Sequence, residues 1–532
     1  MSRSITDEAV LAGGARLAFG LLSIAVFTAL GVFATLWLTL PGRLEHPAAY
    51  VVITAVLAYL LALWVARWVA FERMRRPVHL APEPGLRVAA VTVFVPETQP
   101  LGMLELTLGA MVDMQYPHDT WVLDESDDQD VRELCGRLGA KHFTRREARE
   151  HEADDDRVAA HSKHGRINAW LAEVGYDQYD VLAAIDLEHV PEPDYLERTV
   201  GYLRDSQVGY VQPAQVYYNQ DASLIAGGAA EESYAFNSWI QAASHALGAP
   251  AVTGSHAVHR LAALRAVGGF PPLESEESHL TMLYRGAQWR GVYVPEILAL
   301  GTTPVEWSGY LGQQRHRARA LLEVKLRVYP KLAGRLLPME RLLGLLHGAY
   351  SLRSLTMLAI YPFVVLILLS NQRPTFLGIE ALVGLSGMTL VLMLADRFLR
   401  RYVLDPERER GLRWRAMLLQ FAKWPYLAWA LWDALRGRRG GADETPKRVT
   451  RPWRGAVAAS QLALAVGLCI AAAIGVARSG PLWPSVAMIA GVFFGLSLGL
   501  VWSELLWYPP PFEPIRHARR RAELAELFAR RR

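Results

Sequence analysis

Residues 179–190 read YDVLAAIDLEHV, an apolar run that ends in a pair of acids. The stretch 180–186 is predicted as a strand, because the run from Val181 to Ile185 inside it contains no polar residue. Asp186 and Glu188 follow it directly. Because ligands of parallel α/β sheets bind at the carboxyl ends of strands, this stretch predicts both a sheet and the edge at which a site is built.

Short apolar strands alternate with helical segments on both sides of this stretch. Strand-like runs cover 88–95, 119–124, 208–216 and 291–294, and helical segments lie near 101–114, 129–138, 164–175, 193–205 and 225–246. Such alternation is typical of βαβ units. The sequence therefore predicts an α/β domain with a mainly parallel sheet over residues 77–335.

Long apolar runs flank this domain, two before it and four after it. They cover 17–40, 48–66, 354–370, 377–395, 456–477 and 482–503. At about 1.5 Å per residue, the first run is long enough to cross a hydrocarbon core of about 30 Å. One such run fits a buried core helix equally well, but six around a polar middle region favour membrane spans. The predicted organisation is a membrane region 1–76, a cytosolic domain 77–335, a second membrane region 336–510 and a basic tail 511–532.

The segment 412–436 is apolar but carries Arg413, Arg415 and Lys423. We expect an interfacial helix here rather than a seventh span.

The distribution of charge predicts the orientation in the membrane. Overall, 56 Lys and Arg balance 52 Asp and Glu, which argues against nucleic acid as a partner. Arginines cluster after the second, fourth and sixth runs, whereas the opposite loops carry only Arg43, Arg373 and Arg478. By the positive-inside rule, both termini and the middle domain lie in the cytosol, beneath the inner membrane. The basic tail fits either an amphipathic helix on anionic membrane lipid or a solvated segment.

The acids at the strand ends suggest a cation site. Asp186 and Glu188 offer the hard oxygen ligands that suit magnesium or manganese, and such an ion can hold a diphosphate. Lys163 lies upstream, where its ammonium can neutralise phosphate. Asp124 ends another strand and can accept hydrogen bonds from a nucleoside. The alternative for each acid is a solvated strand end.

Two further segments carry candidate chemistry. Gly254-Ser255-His256 precedes a stretch that reads as helix, and Ser275-Glu276-Glu277-Ser278-His279 lies at an apparent helix start. A carboxylate in the second segment can act as a general base. The alternative is an acid that caps the helix dipole.

The order of these motifs resembles the membrane-embedded family-two glycosyltransferases, the group of cellulose, chitin and hyaluronan synthases. The stretches that carry the resemblance are VLDESDD (122–128), KHGRINAWL (163–171), IDLEHVPEPDYL (185–196), VGYVQPAQVYYN (208–219), GSHAVHRLAALRAVGGF (254–270), SEESH (275–279), WRGVYVPE (289–296), QQRHRARA (313–320), FAKWPY (421–426) and TPK (445–447). The resemblance implies an A-type glycosyltransferase fold, a nucleotide-sugar donor (most often a UDP-sugar), a divalent cation, and a glycan or lipid-linked acceptor.

The resemblance also implies roles for single residues. Asp124, Lys163 and Asp186 would bind the donor, and Asp186 and Glu188 would hold magnesium or manganese. Glu277, preceded by Glu276, stands at the position of the catalytic base, and Thr445 and Lys447 match a mobile segment over the donor. Gln313, His316 and Arg317 stand at the acceptor motif.

Several positions depart from the family pattern. Glu188 and Glu277 replace aspartates, and the acceptor motif QxxRW keeps only Gln313, with His316 and Arg317 in place of its Arg-Trp pair. Three readings follow: a polymerising and exporting inverting enzyme, a non-processive inverting enzyme, and a catalytically impaired scaffold or partner subunit. The missing tryptophan favours the second reading over the first, and an accessory subunit is compatible with each.

Overall fold

The computed structural model describes residues 5–96, 99–124, 126–144, 163–271, 276–346, 348–372, 374–409, 411–437 and 455–505. Thr445, Lys447 and the predicted basic tail 511–532 lie outside these ranges.

The strands of the described part are short. They are β1 Asp7–Ala9, β2 Arg75–Pro77, β3 Val88–Phe94, β4 Asp119–Asp124, β5 Lys141–Phe143, β6 Val181–Ile185, β7 Val190–Pro191, β8 Val208–Pro213, β9 Val216–Tyr217, β10 His256–Arg260, β11 Arg290–Val294 and β12 Ala299–Gly301.

The α-helices of five or more residues carry the rest of the fold. They are α1 Gly13–Leu38, α2 Pro47–Glu72, α3 Leu101–Val112, α4 Gln129–Leu138, α5 Lys163–Trp170, α6 Tyr195–Thr199, α7 Leu224–Ala235, α8 Gln241–Ala246, α9 Leu261–Ala266, α10 Glu276–Gly286, α11 Trp307–Glu323, α12 Pro338–Leu346, α13 Met357–Ser370, α14 Ile379–Leu399, α15 Trp414–Arg436, α16 Ala456–Ser479 and α17 Pro484–Leu505.

Six helices of the described chain are long and apolar enough to cross a membrane, and they match the six predicted runs. These helices are α1, α2, α13 with the turn that precedes it, α14, α16 and α17. Their outward faces expose large apolar side chains, such as Leu21 on α1 and Leu390 on α14. The pattern indicates a multi-pass membrane protein. The domain limits proposed from the sequence stay a prediction.

The central sheet has the order β11-β8-β10-β6-β3-β4-β5 in the described part. Its neighbours pair in parallel except at β10, which is antiparallel to both β6 and β8. The prediction of an α/β domain with a mainly parallel sheet is therefore confirmed. A second, small sheet pairs β7, β12 and β9 beside the carboxyl end of β6.

Both faces of the central sheet are buried, as its composition requires. Along β6, Val181, Ala183 and Ile185 belong to one apolar cluster, and Leu182 and Ala184 belong to the cluster on the other face. This alternation explains why the strand is uniformly apolar, since each side chain packs against helices on one side or the other.

Two local expectations from the sequence were wrong. The stretch that follows Gly254-Ser255 is not helical from its start, because His256–Arg260 forms strand β10 before the short helix α9 begins. The predicted single strand 208–216 is two strands in different sheets, β8 and β9.

Helix α15, which occupies the predicted interfacial segment, is fixed to the α/β domain by two adjacent acids of α7. Glu231 accepts hydrogen bonds from Arg415 Nε at 2.7 Å and from the backbone N–H of Ala416 at 2.9 Å. The second contact satisfies an N–H of the first turn of α15, where a negative charge also suits the helix dipole.

Glu232 binds Lys423 in the middle of α15. Lys423 Nζ lies 2.9 Å and 3.1 Å from the two carboxylate oxygens and 3.2 Å from Oε1 of Gln314 on α11. The Tyr310 hydroxyl of α11 also donates to Glu232, at 2.9 Å. Only 1% of the Lys423 side chain and 13% of the Glu232 side chain are exposed, so this largely buried pair joins α7, α11 and α15.

We expect Lys423→Met to destabilise the protein strongly, because it leaves Glu232 buried without its main counter-charge. Loss of one partner of a buried pair costs about 3–5 kcal/mol. We expect the melting temperature of the detergent-solubilised chain to fall by at least about 5 °C. The double variant Lys423→Met/Glu232→Gln should recover part of the loss.

Arg87→Gln is the matched control for this measurement. It also removes one cation from an ion pair, but the side chains of Arg87 and Asp180 are 56% and 39% exposed. Such surface pairs contribute about 1 kcal/mol or less. Equal effects of Lys423→Met and Arg87→Gln would contradict the importance assigned to the buried pair.

Candidate active site

The predicted acids meet at one edge of the central sheet. Asp124 ends β4, and Asp186 follows the last residue of β6. Strand β3 lies between β4 and β6 and runs parallel to both. Because neighbouring strands are about 4.8 Å apart, the two acids lie about 10 Å apart across this edge.

Asp186, Glu188 and His189 form a cluster that fits a cation. One potential ligand atom from each of the three lies within 4.8 Å of the others. Two carboxylates and one imidazole suit manganese or magnesium, with positions left for oxygens of another molecule. The sequence prediction included the two acids but not His189, although its place directly after Glu188 was a signal that could have been used.

The surroundings of His189 hold its ring in place. Its Nε2 lies 3.2 Å from Nε2 of Gln215, and its ring stacks on His256 with centroids 5.2 Å apart. The ring also lies against Gly301 so closely that a Cβ there would come within 2.3 Å of Nε2. A side chain at residue 301 would therefore displace this member of the cluster.

His256 is a neutral support beneath the cluster. Its Nε2 lies 3.1 Å from the carbonyl oxygen of Ala214, and its Nδ1 lies 2.9 Å from Oγ of Ser255. Burial, followed by the charge of neighbouring His189, lowers the pKa of His256 to about 3. A neutral ring donates to Ala214 through Nε2 and accepts from Ser255 through Nδ1.

Lys163, which is predicted from the sequence to bind phosphate, lies against Asp186. Its ammonium forms an ion pair with the Asp186 carboxylate and donates to the carbonyl oxygen of Gly254 at 2.9 Å. The backbone N–H of Asp186 donates to the carbonyl oxygen of Ser255 at 2.7 Å. The Gly254-Ser255 backbone therefore fixes both partners of the pair.

Glu277, the predicted base, lies against the same backbone. Gly254 has a φ of +71°, and a Cβ on it would come within 2.3 Å of Oε1 of Glu277. Glycine is required here on both grounds. The side chain of Glu276 lies outside the described part of the structure.

Asp124 is buried and accepts hydrogen bonds from the loop that follows it. The N–H and hydroxyl of Ser126 donate to one carboxylate oxygen at 2.9 Å and 2.5 Å, and the N–H of Asp128 donates to the other at 2.9 Å. Burial alone would raise the pKa of Asp124, but hydrogen bonds from His142, Ser126 and Asp128 lower it. The carboxylate is thus ionised and holds the loop in its conformation through these hydrogen bonds. The binding of a nucleoside by Asp124 stays a prediction from the sequence.

The predicted acceptor residues lie on α11. Gln313 and Arg317 are four residues apart and so share one face of the helix, with His316 on the flank. Arg317 is exposed, whereas Tyr217 of β9, whose side chain ends in a hydroxyl, is buried. Burial raises the pKa of this hydroxyl; Arg317 opposes the rise, and nearby Glu188 and Glu277 add to it. Tyr217 was missed by the sequence prediction.

A comparison with protein-family models identifies the domain. Residues 89–320 match the model described as glycosyltransferase like family 2. These residues belong to the family-two glycosyltransferases. The match starts in β3 and ends in α11, so it contains the whole central sheet and each site residue described above. The domain has the α/β fold with a mainly parallel sheet that the resemblance implied.

Curated relatives place the glycosyltransferase domain in the cellulose synthase-like type. Putative cellulose synthase 2 of Komagataeibacter xylinus is 26% identical over 286 residues, which cover 52% of this chain and 17% of the relative. The cellulose synthase catalytic subunit (UDP-forming) of Xanthomonas axonopodis pv. citri is 25% identical over 309 residues, 56% of this chain and 39% of the relative. The chain therefore spans less than half the length of these relatives.

Among solved structures, the chain is similar to the mannosyltransferase PcManGT from Pyrobaculum calidifontis, which was determined in complex with GDP-Man and Mn²⁺. The similarity covers 74% of this chain and 99% of that chain, with a TM-score of 0.48 and 17% identity.

We expect His189→Ala to weaken Mn²⁺ binding at least about tenfold, because it removes one of three donors of the cluster. Glu188→Ala should have an equal or larger effect. Isothermal titration of the purified chain with Mn²⁺ measures both. His79→Ala is the control, since His79 is exposed and is not a member of the cluster. An unchanged affinity in His189→Ala would remove His189 from the ligand set.

Proposed function

We propose that this chain is an inverting glycosyltransferase that moves a sugar from a nucleotide sugar, a UDP-sugar, onto a glycan or lipid-linked acceptor at the membrane. The observation that carries the proposal is that three candidate site residues, Lys163, Asp186 and Glu277, all contact Gly254-Ser255. This one turn touches a cation-binding acid, a phosphate-binding lysine and a carboxylate in the position of a base. Family-two membership of the domain and the UDP-forming relatives support the choice of donor.

The donor half of the site consists of Lys163, Asp186, Glu188 and His189. A divalent cation held by the last three would offset the negative charge that develops on the departing diphosphate. Lys163 adds a second positive charge to the same place, and Asp186 holds its ammonium in position. Asp124 lies two strands away, at the distance that a nucleoside attached to the diphosphate has to span.

Glu277 is proposed as the general base. Its carboxylate takes the proton from an acceptor hydroxyl while that oxygen attacks the anomeric carbon and the bond from this carbon to the nucleotide diphosphate breaks. A single displacement inverts the configuration at the carbon and requires one base. Glu277 lies against Gly254, whose carbonyl oxygen accepts from Lys163, so the proposed base is next to the donor half of the site.

The orientation in the membrane follows from charge. We propose that the glycosyltransferase domain lies on the cytosolic side of the inner membrane, where nucleotide sugars are made, because arginines concentrate on that side of the spans. Residues 313–317 lack the tryptophan of the acceptor motif, on which a growing glycan would stack. We therefore propose transfer of one or a few sugars rather than processive polymerisation.

Release of UDP tests the function directly. The purified full-length chain in nanodiscs, with Mn²⁺ or Mg²⁺ and a panel of UDP-sugars, should release UDP from at least one donor. Glu277→Gln should lower the rate by at least about a hundredfold, because general-base catalysis contributes that much or more. Product sizing then separates one added sugar from a long polymer.

The control for Glu277→Gln is Glu105→Gln, which removes an acid from a surface ion pair with Arg137. We expect it to leave the rate unchanged. If no donor yields UDP although Mn²⁺ binds, the chain is not an active UDP-sugar transferase, and the scaffold interpretation replaces this proposal.

Gly254→Ala tests the positioning of the base. The added Cβ would push the Glu277 carboxylate away, and a displacement of about 1 Å costs about a hundredfold in rate. Gly268→Ala is a closely matched control, because Gly268 also has a positive φ (+87°) but has nothing within 4 Å of a Cβ. UDP release should fall in the first variant and persist in the second. Equal rates in the two variants would contradict the positioning role of Gly254.

A further inference from the structure

The two faces of helix α12 (Pro338–Leu346) have different surroundings. Glu340 on the inner face is buried and forms an ion pair with Arg285 in the last turn of α10. Gly344 lies four residues later on the same face, so close to the Tyr329 ring that a Cβ there would come within 3.0 Å of it. The inner face of α12 is therefore fixed to the rest of the protein.

The opposite face of α12 exposes large apolar side chains. Met339, Leu342 and Leu346 are three and four residues apart, so they lie on one face of the helix, and Leu345 extends this face. These four side chains, which we call the outer face, are between 38% and 52% exposed. An apolar face opposite a buried polar contact is typical of a helix that lies in the surface of a membrane.

The place of α12 in the chain puts the outer face near the membrane. Helix α12 ends at Leu346, and the span Ser351–Ser370 begins five residues later. Because five residues extend over at most about 17 Å, the end of α12 lies within that distance of the point where the chain enters the bilayer. The bilayer is thus an apolar partner within reach of the outer face.

The charges on and before α12 favour an anionic bilayer. Residues 324–346 contain five cations and a single acid, and this acid is Glu340 in its buried pair. Four of the cations are exposed: Arg327, Lys331, Arg335 and Arg341. Basic residues near a membrane attract anionic headgroups. A second copy of this chain in a symmetric contact would bring the same cations to the same place, so charge disfavours it as the occupant.

The buried ion pair connects α12 with the helix that carries the proposed base. Glu277 lies in the first turn of α10 and Arg285 in the last, about 12 Å apart along the helix axis. Between them, Oγ1 of Thr281 accepts a hydrogen bond from the N–H of Val252 at 2.9 Å, two residues before Gly254. The position of α12 is therefore coupled through α10 to the turn at which the site residues meet.

We propose that the outer face of α12 binds the surface of an anionic bilayer, and that the pair of Glu340 and Arg285 transmits this contact to α10. The bilayer then restricts the motion of α10 and holds Glu277 where the transfer requires it, so anionic lipid activates the enzyme. The binding surface is independent of the proposed function, whereas the effect on Glu277 rests on it.

Quenching by spin-labelled lipid tests the contact with the bilayer. A dye is attached at Leu342→Cys in the full-length chain in nanodiscs, with Cys135→Ala and Cys469→Ala. We expect a phosphatidylcholine with a nitroxide near its headgroup to quench this dye as strongly as a dye at Leu394→Cys, which is exposed on the span α14. Glu133→Cys, on the exposed face of α4, is the control without quenching.

Two results would overturn the contact with lipid. A dye at residue 342 that is quenched as little as the dye at residue 133 would show that α12 does not lie in the bilayer. Self-quenching between two labelled chains in one nanodisc, without quenching by the nitroxide, would show that a second copy covers the outer face instead.

Hydrogen exchange of residues 276–286 tests the transmission without any need for activity. The full-length chain is compared in nanodiscs of phosphatidylcholine and of equal parts of phosphatidylcholine and phosphatidylglycerol. We expect the amides of α10 to exchange at least about fivefold more slowly with the anionic lipid, which is the factor that one basic residue near such a surface contributes. The rate of UDP release should rise in parallel. Equal exchange in the two lipids would overturn the transmission, and equal rates of UDP release would overturn the effect on the base.

A pair of charge variants tests the choice of an anionic surface. The first removes exposed cations on and before α12: Lys331→Gln/Arg335→Gln/Arg341→Gln. The matched control removes three exposed cations elsewhere in the α/β domain: Arg87→Gln/Arg137→Gln/Lys141→Gln. We expect the first variant to lose the effect of phosphatidylglycerol and the control to keep it. The same lipid effect in both variants would contradict the role of the cations at α12.

Glu340→Gln separates the contact with lipid from its transmission. The outer face is unchanged, so the dye at residue 342 should stay quenched, but α10 should no longer exchange more slowly with anionic lipid. An unchanged Mn²⁺ affinity shows that the variant is folded, and Glu340→Asp, which keeps the charge, should recover part of the effect. A full lipid effect in Glu340→Gln would overturn the role of the ion pair. If no donor releases UDP, the proposed function fails, while quenching and hydrogen exchange still decide the binding surface and its transmission.

Discussion

The hydrogen bond from the N–H of Asp186 to the carbonyl oxygen of Ser255 extends the pairing of β6 and β10 one step beyond the pair of Ile185 and His256. Because β10 is antiparallel to β6, its first residues arrive at the carboxyl end of β6. A parallel strand would begin at the opposite edge of the sheet. The reversed direction of this one strand brings the turn at Gly254 between Lys163 and Glu277.

Much of the domain could be predicted from its sequence because its parallel strands are uniformly apolar. Residues 119–124 were predicted as a strand with the bounds that the structure has, and 181–185 lies inside a predicted strand. Strand β10 was not predicted, because its sequence, HAVHR, contains two histidines. Burial lowers the pKa of His256 and of His259 to about 3, and each ring has a hydrogen-bonding partner. These buried neutral histidines thus occupy core positions, and because histidine is a polar residue type, the sequence does not reveal these positions as part of a strand.

The candidate site was predictable where its residues lie in one continuous motif. Asp186 and Glu188 follow a strand, and Lys163 begins a helix. Tyr217 could not be found in this way, because it reaches the site through a sheet whose strands have two or three residues. Strands of that length leave no periodic pattern. Their pairing brings residues 189, 217 and 301 together, and only the fold reveals that.

The two adjacent acids of α7 have a consequence for how this chain could be divided into parts. Glu231 and Glu232 lie within the glycosyltransferase domain, but their cationic partners Arg415 and Lys423 lie beyond two of the six apolar helices in the sequence. Two negative charges of the glycosyltransferase domain are therefore balanced by cations of α15, which lies outside the domain. A soluble fragment cut after α11, or a chimera on a foreign membrane anchor, would expose two carboxylates matched to α15. A transfer of this domain to another protein would therefore have to include α15, because the cations of α15 neutralise the two carboxylates.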